Sequence, residues 1–123
     1  MPKKSMEQLT ESMFYVLMTL TVKPRCGIDI AACIERRTEG RIRIGPATLY
    51  TVLAKFEQEK YIKEIRVEGR RRTYRITERG REAYLAEWAR LRACLADAEK
   101  DWEEDSDRTD DEAVELAVAE SIS

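Results

Sequence analysis

Three consecutive arginines, Arg70, Arg71 and Arg72, follow Gly69 in the middle of a segment whose side chains alternate between apolar and polar. A guanidinium group is always charged and its planar donors match the oxygens of a phosphate. One exposed arginine is usually an ordinary solvated charge, but three in a row on a turn favour a binding role. The chemistry that we expect is therefore recognition of a polyanion, with no bond made or broken.

A helix precedes this basic segment. From Pro46 to Glu57 the sequence places apolar residues at i, i+3, i+4 and i+7, and they are Leu49, Val52, Leu53 and Phe56. The opposite face carries Thr48, Thr51 and Lys55, with Tyr50 beside it. A helix followed by a basic-tipped hairpin is typical of a winged helix-turn-helix, in which the second helix enters the DNA major groove.

We therefore expect double-stranded DNA as a partner. Four side chains would lie at the major groove, and they are Thr48, Tyr50, Thr51 and Lys55. Arg70, Arg71 and Arg72 would hold the adjacent backbone or enter a narrow minor groove. Because the outer face of this helix carries no arginine or asparagine, the sequence predicts modest base specificity.

The hairpin is predicted from a change to period two after Tyr61. A two-residue turn at Gly69 and Arg70 would pair Ile65 with Tyr74 on one face and Glu64 with Arg75 on the other. This register predicts a hairpin that is half buried, with its tip in water.

The charge is divided unevenly along the 123 residues, whose net charge is −2. Residues 1–80 contain 17 Lys and Arg against 10 Asp and Glu, whereas residues 81–123 contain 5 against 14. A basic body followed by an acidic tail suits the binding of a polyanion by the first part.

Several classes of protein are disfavoured. The chain has no histidine, no P-loop and no nucleophile motif, so we expect neither an enzyme nor a cofactor. The odd set of Cys26, Cys33 and Cys94 indicates small buried thiols and no metal site, although Cys26, in an expected loop beside Arg25, is a candidate for redox or metal sensing. No membrane segment or signal peptide is predicted, and we place the protein in the cytoplasm.

The residues before this region predict two helices and a short strand. Leu9 to Val22 is apolar around most of a helix, and Pro24 and Gly27 end it. A second helix over Gly27 to Thr38 would turn Ile30 and Ile34 inward. After a break, the alternation of Arg41 to Ile44 predicts a strand.

Thr77 is a suitable N-cap for a last long helix. Within it a seam of heptad a and d positions is formed by Tyr84, Trp88, Leu91, Leu95, Ala98 and Trp102. A narrow apolar seam on a charged helix predicts a partner helix, most simply from a second copy of the chain, although folding back onto its own domain is the alternative. Beyond Asp97 the acidic sequence predicts a solvated linker, then a capping box at Thr109 to Glu112 and a short terminal helix.

The chain resembles the PadR-like transcriptional regulators. The matching residues are Thr48-Leu49-Tyr50, then Leu53, Glu57 and Ile62, and the wing from Gly69 through Thr77 to Gly80. Phe56 and Lys60 depart from a usual leucine and glycine, so we expect a repacked core and a less tight turn into the wing. The resemblance implies a homodimeric repressor that releases DNA on binding a ligand, with Trp88 lining a central cleft for a small planar hydrophobic effector. Packing against its mate is the alternative for Trp88.

These observations together predict a mostly α fold with a small β-hairpin. A winged helix-turn-helix domain over residues 5–77 would be followed by a dimerisation helix over 78–104 and an acidic tail over 105–123. The predicted function is a sequence-specific, ligand-responsive DNA-binding regulator. The alternative is a winged-helix module that uses its acidic tail to bind a basic protein.

Overall fold

A computed structural model describes residues 8–107, with side chains for residues 8–100. Its helices are α1 (Glu11–Val22), α2 (Gly27–Arg37), α3 (Pro46–Gln58) and α4 (Glu78–Asp107). Three strands, β1 (Arg25–Cys26), β2 (Ile62–Glu68) and β3 (Arg71–Ile76), form one antiparallel sheet in the order β1-β3-β2. The chain divides into one compact unit that ends at Glu87 and a second that begins at Trp88.

Helix α1 is a central helix of the first unit, as its composition predicts. Thr10 caps it by accepting a hydrogen bond from the Met13 amide at 3.2 Å. Its buried side chains are Met13, Val16, Leu17, Thr19 and Leu20. The buried hydroxyl of Thr19 is satisfied because it donates to the Val16 carbonyl at 2.8 Å.

The segment after α1 is not the loop that the sequence predicts. Arg25 pairs with Tyr74 and Cys26 with Thr73, so this segment forms β1 at the edge of the sheet. The Arg25 Nε atom donates to the Thr19 carbonyl at 3.0 Å, which ties the strand to α1. Cys26 is buried and forms the N-cap position of α2, so the prediction of a loop thiol was wrong.

The turn between α2 and α3 contains no strand, which corrects the prediction for Arg41 to Ile44. The Ile42 amide donates to the Thr38 hydroxyl at 3.0 Å, so this amide bonds within the turn and joins no ladder. Ile42 and Ile44 are half-buried against the core, which accounts for the alternation. In α2, Ile30 and Ile34 are fully buried, as predicted.

Helix α3 confirms the predicted one-sided stripe. Pro46 occupies the first turn, where its missing N–H costs nothing. All four stripe residues, Leu49, Val52, Leu53 and Phe56, are buried. Phe56 is fully buried and its ring centroid lies 5.8 Å from that of Tyr61, so the larger aromatic at this position is packed within the core.

The hairpin has the predicted two-residue turn but a different register. Glu68 pairs with Arg71 across the turn, and a β-bulge follows between Glu64 and Arg66. Because the bulge inserts Ile65 as an extra residue, Glu64 faces Tyr74, and the predicted pairs of Ile65 with Tyr74 and of Glu64 with Arg75 are wrong. Ile62, Tyr74 and Ile76 are buried at the base of the hairpin. In the outer half, Ile65 and Val67 remain 46% and 53% exposed.

The turn from α3 into the hairpin uses a left-handed residue. Lys60 has φ of 64°, a conformation that a glycine adopts without the steric cost that a side chain brings. The Tyr61 amide donates to the Phe56 carbonyl at 2.8 Å, which closes the end of the helix. The turn therefore has the backbone conformation of a glycine turn although a lysine occupies it.

Thr77 immediately precedes helix α4 and caps it, as predicted. The Thr77 hydroxyl accepts from the Gly80 amide at 3.0 Å and donates towards the Lys60 carbonyl at 2.7 Å. The Thr77 amide donates to the Tyr61 carbonyl at 2.9 Å. These bonds join the end of β3 to the turn that follows α3.

The acidic residues after Asp97 continue the helix to Asp107 and do not form the predicted linker there. The predicted capping box at Thr109 to Glu112 and the terminal helix lie outside the described residues. Among residues 8–107, none of the helices combines the length and the apolar character needed to cross a membrane.

Gly80 permits the close approach between α4 and β2. A Cβ atom on Gly80 would collide with the Tyr61 carbonyl oxygen and would lie 3.0 Å from Ile76 Cγ1. We expect Gly80→Ala to lower the free energy of unfolding by about 2 kcal/mol, because overpacking at a backbone contact forces the two elements apart. Urea denaturation followed by circular dichroism measures this change.

Gly27→Ala is the matched control. A Cβ atom at Gly27 would lie 3.5 Å from Leu49 Cδ2, an ordinary van der Waals distance. Its effect should stay below about 1 kcal/mol. Equal effects of the two substitutions would contradict the steric role of Gly80.

Candidate nucleic-acid interface

The outer face of α3 presents the predicted groove residues to solvent. Thr48, Tyr50, Thr51 and Lys55 are all exposed. The Thr51 hydroxyl donates to the Ala47 carbonyl at 2.9 Å, so it offers a ligand its lone pairs and its methyl group but not its proton. Tyr50 is 61% exposed and is the largest of the four side chains. The face is suited to phosphate contacts and to apolar contact with bases.

The wing, defined here as β2, β3 and the turn between them, carries its arginines in water as predicted. Arg70, Arg71 and Arg72 are all exposed. Arg72 forms an ion pair with Glu64 at 3.5 Å, and Arg66 forms one with Glu68 at 4.0 Å. Within the described part of the chain, Arg70 and Arg71 have no carboxylate at ion-pair distance. These two guanidinium groups are therefore the ones most available to an anion.

A cleft of about 550 Å³ connects the two predicted elements. Tyr50 of α3 and the three wing arginines line it together with buried Tyr74. Thr48, Thr51 and Lys55 do not line the cleft. The structure therefore brings Tyr50 to the wing arginines and leaves the other three residues on the exposed face of α3.

The phenol of Tyr74 is neutral at physiological pH. Burial raises the pKa of Tyr74 above its ordinary value of 10.0, and Glu57 raises this pKa further while Arg72 opposes the shift. A neutral phenol keeps its proton, so Tyr74 contributes to the cleft an aromatic ring with one uncharged polar atom.

Sequence reasoning missed the contribution of α2 to this site. Gly27 and Ile28, at the start of α2, line the cleft, and Ile28 is 71% exposed. The sequence contained one signal of this contribution: Ile28 is a large apolar residue that falls outside the inner stripe of Ile30 and Ile34. The proximity of α2 to the wing depends on β1, which was not predicted.

Two further arginines lie in the turn before α3. Arg41 donates to the Tyr15 hydroxyl at 2.9 Å and to Glu11 at 3.4 Å, and these partners raise the pKa of Arg41, Tyr15 most strongly. Arg43 pairs with Glu35 at 3.6 Å. Both side chains are held by residues of their own domain and differ in this respect from Arg70 and Arg71.

The cysteines are placed differently from one another. Cys26 and Cys33 are buried, but Cys94 is exposed on α4, which corrects the expectation of three buried thiols. The Cys94 sulfur lies 3.8 Å from Arg90 Nη1.

The predicted seam residues of α4 fall in both units, which divide between Glu87 and Trp88. In the first unit, Tyr84 stacks on Phe14 with ring centroids 5.0 Å apart and an angle of 16° between the planes. In the second unit, Trp88 and Leu95 are 45% and 65% exposed, and Leu91 and Ala98 are also exposed. The side chain of Trp102 lies outside the described part.

The Trp88 ring has a charged neighbour one turn away. The Arg92 guanidinium carbon lies 5.0 Å from the ring centroid, within the range of a cation–π contact. One cation of the chain itself therefore already interacts with the side chain that the resemblance assigns to an effector.

A helix with a buried inner stripe, followed by a basic-tipped antiparallel hairpin, defines a winged-helix protein of the DNA-binding type. The sequence profile of the PadR-like family of transcriptional regulators matches residues 16–86, and the chain belongs to this family. The resemblance and the fold class predicted from the sequence are confirmed, and the protein is a transcriptional regulator and not an enzyme.

Solved structures are similar over most of the chain. A transcriptional regulator from Clostridium thermocellum is 29% identical with a TM-score of 0.66, and the match covers 72% of this chain and 87% of that one. A PadR family regulator from Clostridium difficile has 18% identity and a TM-score of 0.64, with 74% and 97% covered. RosR of H. salinarum has 22% identity and a TM-score of 0.59, with 94% and 96% covered. At these last two identities the likeness concerns the fold. A search of curated proteins gives no match.

Proposed function

We propose that this protein is a homodimeric, ligand-responsive repressor that binds double-stranded DNA through α3 and the wing. The observation that carries the proposal is the common cleft, which brings Tyr50 of α3 to Arg70, Arg71 and Arg72. Phosphate oxygens would be held by the arginines while α3 lies in the major groove. As a regulator of transcription, it would act in the cytoplasm.

The roles of the side chains differ in this proposal. Arg70 and Arg71 would bind the backbone and supply affinity for any sequence, because phosphates carry no base information. Thr48, Thr51 and Lys55 would lie at the groove, where threonine methyl groups suit contact with thymine. Since α3 contains no arginine or asparagine, discrimination between sequences would be modest.

Dimerisation would use the exposed apolar residues of α4. Trp88, Leu91 and Leu95 follow the spacing of a coiled-coil seam, and all three are exposed in a single chain. Large apolar side chains aligned along one helix are more stable when a partner covers them. A second copy of the chain would place an identical seam against this one, and a two-fold dimer would match a two-fold operator.

The effector would stack on Trp88, as the resemblance implies. The indole offers a large flat surface, and Arg92 already occupies cation–π distance from it. A planar hydrophobic molecule would displace or sandwich this guanidinium group. Binding close to the dimer seam would then shift the geometry of the two wings and release DNA.

We expect Arg71→Ala to weaken binding to all DNA sequences and to reduce the slope of log K against log salt by about 0.9, the contribution of one phosphate contact. Fluorescence anisotropy with labelled duplexes at several salt concentrations measures this slope. Arg79→Ala is the control, because this substitution removes the same charge from the first turn of α4, where Arg79 pairs with Glu59 at 3.9 Å. An unchanged slope in Arg71→Ala removes this arginine from the interface. Weak retention of every genomic fragment by the native chain would favour the protein-interaction alternative.

Leu95→Asp should shift the protein from dimer to monomer in sedimentation equilibrium. The substitution would place a charge in an apolar seam, so the dimer dissociation constant should rise about a hundredfold or more. Ala93→Asp adds the same charge on the opposite side of α4 and should leave the dimer intact. A monomeric native protein, or equal effects of the two variants, would refute the assignment of the seam.

Quenching of tryptophan fluorescence by a planar dye such as proflavine, without DNA, tests the effector site. The chain has two tryptophans, so Trp102→Phe leaves Trp88 as the sole reporter, and its quenching should persist. Trp88→Ala should lose the saturable quenching, because the stacking surface is gone. Undiminished quenching in Trp88→Ala would assign the dye to another site.

A further inference from the structure

A large apolar side chain remains in water at the start of α2. Ile28 is the second residue of this helix and is 71% exposed. Ile30 and Ile34 of the same helix are fully buried and supply its contacts with the core. Packing within the described chain therefore does not account for an isoleucine at position 28.

The start of α2 lies against the first half of α3. A Cβ atom on Gly27, the residue before Ile28, would lie 3.5 Å from Leu49 Cδ2 and 3.9 Å from Tyr50 Cε1. Leu49 and Tyr50 belong to the first five residues of α3. Because the N-terminal residues of a recognition helix are the ones that contact base edges, Ile28 lies beside the part of α3 that would enter the major groove.

The wing arginines would bring a DNA strand to the same position. Ile28 lines one cleft with Arg70 and Arg71, which have no carboxylate at ion-pair distance among the described residues. The carboxylate of Glu68 also lines this cleft, but it is paired with Arg66 at 4.0 Å. With phosphates on the two free arginines and α3 in the groove, the strand that carries those phosphates would pass over the cleft.

The apolar group that a base pair presents in the major groove is the C5 methyl of thymine. An isoleucine side chain cannot bond to the donors and acceptors of the base edges, but contact with this methyl group removes apolar surface of both from water. A cytosine at the same position presents an amino group, which the isoleucine would cover without offering it an acceptor. Both effects favour thymine over cytosine.

We propose that Ile28 is a specificity-determining residue of the DNA interface and that it contacts the methyl group of a thymine close to the phosphates held by Arg70 and Arg71. The assignment rests on the proposed function, because it requires DNA on α3 and the wing. It adds a residue of α2 to an interface whose other assigned side chains belong to those two elements. A preference for thymine at one position of each half-site follows.

Replacement of thymine by uracil tests the contact, because uracil lacks only the methyl group. A duplex is first selected from a random pool by the native full chain, and its thymines are then replaced one at a time. Fluorescence anisotropy should show that the native protein loses about fourfold in affinity at a contacted thymine, as expected for one buried methyl group. Ile28→Ala should lose this sensitivity at one thymine of each half-site and keep it at thymines contacted by Thr48 or Thr51. An identical pattern in the native protein and Ile28→Ala, or no sensitive thymine at all, would overturn the proposal.

Val22→Ala is the matched control. Val22 is also β-branched and 62% exposed, but it is the last residue of α1 and does not line the cleft. It should leave the affinity unchanged, whereas Ile28→Ala should bind the selected duplex about fourfold more weakly. Both residues are exposed, so the fold should tolerate alanine, and the thermal unfolding midpoints provide the check. Equal weakening by the two substitutions would refute the contact.

The salt dependence separates a base contact from a phosphate contact. Ile28→Ala should leave the slope of log K against log salt unchanged, because it removes no phosphate contact. A reduced slope would show that Ile28 supports the phosphate contacts, and it would refute the reading of a base. If the native chain binds DNA but the uracil patterns agree, only the role of Ile28 is refuted. If the native chain retains no duplex from the pool, the proposed function fails as well.

Discussion

The contact between Gly80 and the Tyr61 carbonyl is the constraint on which the rest of this fold depends. It joins the start of α4 to the start of β2, where Thr77 also bonds to the carbonyl of Lys60. Four chain segments meet there, since α3 ends, β2 begins, β3 ends and α4 begins within a few ångströms of one another. The direction of the wing relative to α3 is therefore fixed by backbone atoms, with no long side chain between them. The proposed DNA interface needs this rigidity because α3 and the wing would both have to meet the duplex at once.

The helices could be predicted from the sequence because each buries one continuous stripe. In α3 the four apolar residues recur at helical spacing, and in α2 Ile30 and Ile34 lie one turn apart. The cap at Thr77 could also be predicted, since a threonine before a charged helix has few other local roles. Such features depend on interactions between residues that are close in sequence, so the sequence alone is enough to predict them.

The errors concern partners that are distant in sequence. Arg25 and Cys26 became a strand only because β3, about fifty residues later, offered free backbone groups. The segment from Arg41 to Ile44 alternates like a strand, but no strand of the described residues pairs with it. The Ile42 amide donates a hydrogen bond to the Thr38 hydroxyl instead. The arginine run of the site was visible in the sequence, whereas the cleft beside it was not, because Ile28 reaches the wing through the pairing of β1 with β3. Composition can suggest what a surface binds, but the shape of the surface follows from long-range pairing.

The bulge at Ile65 divides the wing into two mechanical parts. Below it, Ile62, Tyr74 and Ile76 are core residues, and opening that half would require unfolding of the domain. Above it, the strands are mostly exposed and are held by their own ladder, by the pairing of Thr73 with Cys26 and by exposed ion pairs, which contribute little stability. Amide protons of the base should exchange with solvent only through global unfolding, whereas those near the tip exchange through local opening. The base of the wing is therefore rigid and its tip is flexible, so the arginines at the tip can change position without any cost to the core.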